Sequence, residues 1–168
     1  MAGSVPLHQR WIRRFAGSRP GAWLFARVLH RIDRFVFRTT GGRRTATSVI
    51  SGLPVVMLTT TGARTGLPRT VPVLGFPVGD DIAIAAGNFG RPDPPGWSVN
   101  LRRDSRGQLV VDGQPRAVVA EELNGAARND VWGRAIEIYP GAAAYQRRAG
   151  ARTIAVFLLR RDPSFPRD

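Results

Sequence analysis

The chain has 168 residues, 43% of them hydrophobic and 22% charged, which is the composition of one domain able to bury a core. All 25 basic residues are Arg, set against 12 acidic residues for a net charge of +13, and Lys and Cys are both absent. Those absences exclude a phosphate-binding P-loop, imine-forming catalysis, thiol nucleophiles, disulfides and thiolate metal sites. With His8 and His30 as the only histidines, a His-based triad or a metal centre is not expected either.

The charge is uneven. Residues 1–48 hold ten Arg and one acid, Asp33, for +9, and the remainder holds fifteen Arg and eleven acids, for +4. Residues 1–48 therefore read as a basic amphipathic helical segment and 49–168 as a separate domain. Over 23–38, an advance of about 100° per residue puts Leu24, Phe25, Val28, Leu29, Ile32, Phe35 and Val36 on one face and Arg27, Arg31, Arg34 and Arg38 on the other. Such a helix either packs its stripe on the domain or lies on an anionic membrane surface. Genomic composition is the other source of an Arg-for-Lys bias. No reading motif for nucleic acid accompanies the charge, so nucleic acid is not an expected partner. Nor is there a secretory leader or an apolar run of about 20 residues, so a cytoplasmic location with possible contact to membrane is expected.

From residue 49 the period changes to that of strands. Residues 55–60 and 70–76 read as a hairpin, 82–86 as a third strand, 87–96 as a Gly/Pro-rich loop and 97–103 as a short helix. Residues 109–111 and 116–123 form a second hairpin across Asp112-Gly113. Asn124 is placed to cap a helix over 125–139, Pro140 breaks it, 142–148 makes a further helical turn, and 153–159 is a last strand. Hairpin-joined antiparallel strands with few crossover helices point to an α+β, mainly β domain built as a small barrel with flanking helices.

The segment from Leu58 to Arg69, LTTTGARTGLPR, carries the most information. Glycines permit sharp turns that leave N–H groups free, threonine hydroxyls donate, and two arginines five residues apart can converge on one anion. The same residues also serve an ordinary exposed turn with solvated guanidinium groups.

This segment, followed by Pro72, Ala85-Ala86-Gly87, Trp97, Asn100-Leu101, Tyr139-Pro140, Tyr145-Gln146 and Arg152-Thr153-Ile154, resembles the deazaflavin-dependent nitroreductase and quinone-reductase family of actinobacterial split-barrel proteins over residues 50–160. The resemblance implies a split β-barrel of the FMN-binding type and the coenzyme F420, an 8-hydroxy-5-deazaflavin, with hydride passed to a quinone-like or nitroaromatic acceptor. It implies that Arg64, Thr65, Gly66 and Arg69 hold the coenzyme's phosphate and glutamate tail. Pro72, Ala85, Ala86, Gly87 and Asn88 would line the ring, and Trp97 and Asn100 would flank it. Tyr139 and Tyr145 would donate a hydrogen bond or proton to the acceptor. Packing is the competing role for Trp97 and for both tyrosines. Relative to the nitroimidazole-reducing member, Gly87-Asn88 stands where that protein has Ser-Lys, and Ala142 where it has a further Tyr. FMN in place of the deazaflavin, or a non-enzymatic membrane-surface protein, are the alternatives. The oligomeric state is not legible.

Overall fold

The computed structural model describes residues 55–111 and 113–164. The basic segment 1–48, with the amphipathic helix expected there, lies outside the described residues.

The described part comprises strands β1 (Val55–Thr61), β2 (Pro68–Val78) and β3 (Asp81–Ala85), helix α1 (Gly96–Arg103), strands β4 (Arg106–Val111) and β5 (Gln114–Leu123), helices α2 (Gly125–Ile138) and α3 (Gly141–Arg148), and strand β6 (Val156–Arg161). The strands close into an antiparallel barrel in the order β1-β2-β3-β6-β5-β4. Closure gives every strand a neighbour on both sides over at least part of its length. The expected α+β, mainly β barrel with flanking helices is the observed architecture.

Strand alternation divides the apolar residues into two cores. Val56, Leu58, Ile84, Leu109, Val118, Phe157 and Leu159 point into the barrel, where Leu101 of α1 and Ala86 join them. The alternate residues Phe76, Ala83, Leu123, Val156 and Leu158 point outward and are covered by Val131, Trp132 and Ala135 of α2 and by Tyr139 and Ala142. Each large side chain fully buried in this way contributes about 1.5–3 kcal/mol relative to exposure.

β2 changes partners along its length. Residues 68–74 pair with β1, whereas 75–78 pair with β3. The first half therefore has one open edge, and there Pro72, which has no N–H to donate, is tolerated.

Three local expectations are corrected. β6 begins at Val156 and not at 153, because the backbone of Ile154 is already bonded to side chains: its N–H donates to Gln146 Oε1 at 3.0 Å, and its carbonyl accepts from Arg128 at 2.8 and 3.2 Å. β4 begins at Arg106, three residues early, since Gly107 and Gln108 pair with Thr60 and Thr59. Asn124 precedes α2 but makes no side-chain cap; its Nδ2 donates to the carbonyl of Glu122 at 3.2 Å.

Candidate functional site

Strand direction alternates around the barrel, so β1, β3 and β5 end where β2, β6 and β4 begin. This end carries the 62–67 turn, the loop after β3 with α1, and the α2–α3 pair returning to β6. Segments far apart in the chain thereby bring the expected site residues to one end of the barrel, with Pro72 on the adjoining wall.

The β1–β2 turn is tied to itself. Gly62 N–H donates to Leu67 O at 2.9 Å, and Gly62 O accepts from Thr65 N–H at 3.1 Å and Gly66 N–H at 2.8 Å. Gly66 adopts a φ of +67°, which favours glycine. The expectation that the turn leaves its N–H groups free is therefore corrected: those of Gly62, Thr65 and Gly66 are spent internally. Thr65 Oγ1 accepts a long bond from Leu67 N–H at 3.4 Å, which leaves its own O–H to donate. Arg64 and Arg69 are exposed, and neither forms an ion pair with another described residue.

Asn100 is bonded within the protein. Its Oδ1 accepts from Ala63 N–H and its Nδ2 donates to Thr60 Oγ1, both at 2.9 Å. The amide thus fastens the arginine-bearing turn to α1. Trp97, on the same helix, stands edge-on to Phe157 with ring centroids 5.7 Å apart, so it packs on the barrel core while remaining partly exposed. Arg102 locks α1 to β5 through two bonds to Glu122, at 2.7 and 2.8 Å. That hydrogen-bonded pairing holds the Glu122 carboxyl below its ordinary range despite partial burial.

At the end of β3, Ala85 and Gly87 are partly exposed, whereas Ala86 is 1% exposed with its methyl in the barrel core. Asn88 is turned into its own loop, its Nδ2 donating to Asp93 O at 2.9 Å. The surface that a flat ligand could meet there is the pair of small residues Ala85 and Gly87.

The two tyrosines are brought together. Their hydroxyls are 2.7 Å apart and their rings meet edge-on at 5.7 Å. Tyr139 is buried at 2% exposure, and Gly141 makes room for it, since a Cβ there would fall 2.5 Å from the ring. Burial, reinforced by Tyr145, pushes the Tyr139 phenol well above its usual range. Burial raises Tyr145 as well, while the bond from Tyr139 and the Arg148 guanidinium, 5.0 Å from its ring centre, act against that rise. Both are neutral phenols at pH 7. A Cβ on Gly87 would lie 3.3 Å from the Tyr145 ring, so the tyrosine pair and the small-residue ledge adjoin.

Sequence reasoning assigned no role to Arg128, Gln146, Arg148 or the Arg152 side chain, which brace this end of the barrel. Arg152 reaches residues more than sixty positions away, and no local period signals such a contact. Among the described residues no cluster of His, Asp or Glu could hold a metal ion.

The model of the F420H(2)-dependent quinone reductase family matches residues 29–161. A protein of Mycobacterium tuberculosis named F420H(2)-dependent quinone reductase is 30% identical over 114 residues, spanning 68% of this chain and 70% of that one. Among solved structures, an F420-H2 dependent reductase, FDR-A, superposes with a TM-score of 0.59 at 32% identity, covering 64% of this chain and 94% of its own. A chain described as a domain-swapped dimer gives 0.60 at 28% identity, covering 84% and 99%. With its barrel topology and these matches, the chain belongs to the F420H(2)-dependent quinone reductase family.

Proposed function

We propose that this end of the barrel holds the reduced deazaflavin coenzyme F420H2 and that the protein is an F420-dependent reductase delivering hydride to a quinone-like acceptor. The observation that carries the reading is the assembly, at one barrel end, of two exposed arginines without acidic partners among the described residues, a ledge of small residues, and a neutral tyrosine pair. These groups fit an anionic tail attached to a flat ring. When bound, the coenzyme supplies the hydride, so the chain needs no Cys, Lys or His of its own for that step.

The residues divide the remaining work. Arg64 and Arg69 form charge-assisted, forked hydrogen bonds to phosphate and carboxylate oxygens of the tail, and Thr65 adds a hydroxyl donor. Asn100 holds the turn that presents them. Ala85 and Gly87, with Pro72 on the adjoining wall, let a planar ring approach the backbone, and the partly exposed Trp97 borders it. Tyr145 holds a proton at its hydroxyl for the developing oxyanion of the acceptor. If that proton is given up, Tyr139 donates to the phenolate oxygen and Arg148 supplies a nearby positive charge.

Titration of the purified protein with F420H2 and then menadione tests the reading. Saturable binding followed by menadione-dependent loss of the reduced coenzyme is expected. No binding would reject it, and preferential uptake of FMN would favour a flavin instead. Among the described residues no helix is long and apolar enough to cross a membrane. We further propose that the basic segment 1–48 keeps the enzyme at an anionic bilayer, where lipophilic quinones partition. Its +9 charge supports this. Salt-sensitive sedimentation with anionic vesicles is the expected result.

A further inference from the structure

The loop that follows β3 holds an unusual backbone. Asn88 and Phe89 have φ of +45° and +56°, and Gly90 follows at +80°. Three successive residues are thus in the left-handed region: Gly90 and Asn88, of types that tolerate it, and Phe89, for which it is unfavourable. Two internal bonds, Gly90 N–H to Gly87 O at 2.9 Å and Arg91 N–H to Asn88 O at 3.0 Å, close the turn, as they would in many loops of relaxed geometry.

A guanidinium is set against this turn. Arg152 Nη1 donates to Ala86 O at 2.9 Å, Nη2 donates to Gly87 O at 3.1 Å and to Arg91 O at 2.9 Å, and Nε donates to Arg91 O at 3.2 Å. One planar cation therefore joins the carbonyls at both ends of the left-handed turn. Its own backbone is fixed in turn: Arg152 O accepts from Gln146 Nε2 at 2.9 Å, and the next two residues lead to Ile154, which Gln146 and Arg128 grip. Ala155 O receives Ala86 N–H at 2.8 Å. On its other side the turn abuts α3, with the Phe89 ring edge-on to Tyr145 at 5.9 Å and Gly90 too close to Arg148 Cβ and Tyr145 O to accept any side chain.

We propose that Arg152 is the positioning residue of the coenzyme site: by bridging Ala86, Gly87 and Arg91 it holds the 87–90 turn in its left-handed form and so sets the small-residue ledge against Tyr145. This rests on the coenzyme reading above, because the ledge matters only if a ring lies on it. A lysine cannot take the place of Arg152, since a single ammonium lacks the planar fork that reaches three carbonyls.

The full-length protein carrying Arg152→Lys or Arg152→Ala tests the assignment, with Arg160→Ala, at the opposite end of the barrel, as the control for lost charge. Amide hydrogen exchange without coenzyme should show faster exchange at Gly90 and Arg91 in both Arg152 variants. F420H2 dissociation constants should rise on the order of tenfold, with a much smaller change in the thermal midpoint. Guanidinium ion at low concentration should partly restore both loop protection and affinity to Arg152→Ala, which a general loss of packing would not allow. Unchanged loop exchange in both variants, or unchanged affinity despite a loosened loop, overturns the proposal. If the unaltered protein takes up no F420H2 while Arg152→Lys still frees the loop, the coenzyme reading falls and the clamp stands.

Discussion

Tyr139 and Tyr145 are the only tyrosines in the chain, so phenol absorbance reports on this pair alone. Both should titrate above the value of about 10 for free tyrosine. The sign for stability follows from that. Above pH 10 the unfolded chain releases phenolic protons that the folded chain retains, so the folded form loses up to about 1.4 kcal/mol per pH unit for each such group. Chemical unfolding measured from pH 7 to 11 should therefore be level up to about pH 10 and decline beyond it, and Tyr139→Phe should reduce that decline. Catalysis that uses Tyr145 as a proton donor should likewise persist to alkaline pH. For Arg64 and Arg69 the expectation differs in kind. Exchanging either for Ala should raise the F420H2 dissociation constant by about tenfold or more and change the rate at saturating coenzyme little, because these groups meet the tail and not the reacting carbon. Their place on one exposed turn was legible in the order Gly-Ala-Arg-Thr-Gly-Leu-Pro-Arg. The bonds of Asn100 to that turn were not, because its partners Ala63 and Thr60 lie some forty residues earlier.

At the scale of elements, the strands with clear alternation or β-branched runs, β1, β2, β3 and β5, lay close to where the pattern put them. The errors fell where tertiary partners compete for backbone groups. Thr153 and Ile154 are as β-prone as the residues of the strand that follows, yet side chains from α2 and α3 occupy the Ile154 backbone groups that a ladder would need. The 87–90 turn is similar: nothing in Gly-Asn-Phe-Gly demands two left-handed non-glycine residues, and the conformation is imposed by α3 and Arg152. Gly90→Ala is consequently expected to destabilise by about 1–3 kcal/mol from backbone strain alone, and by more once the clash with α3 is added. Gly141→Ala should displace the Tyr139 ring, and spectroscopic titration should then show a phenol moved back toward the free value. Thermal unfolding of both variants, with and without coenzyme, separates lost stability from lost binding.

For the whole molecule, the barrel interior sustains the site from beneath. Leu109→Ala, deep in that interior, should cost about 2–5 kcal/mol in unfolding free energy while leaving coenzyme affinity of the folded protein nearly unchanged. Coenzyme at one hundred times its dissociation constant should return about 2.7 kcal/mol to the folded state. An excess of arginine makes long-range attraction of an anionic ligand salt-dependent, so affinity measured at 0.5 M salt should fall below that at 0.05 M as screening shortens the reach of the charges. Composition alone ruled out lysine, cysteine and thiolate-metal chemistry, and the alternation of apolar residues with the turn residues between them pointed to an antiparallel barrel, because both are local properties of the chain. The hydrogen bonding of the two tyrosines, the bonds of Asn100 to the turn, the burial of Ala86 in the core and the grip of Arg152 on a loop sixty residues distant came from closure of the barrel. Closure makes every other strand end at the same rim, and which side chains meet there depends on strand register and helix packing, which no short stretch of residues encodes.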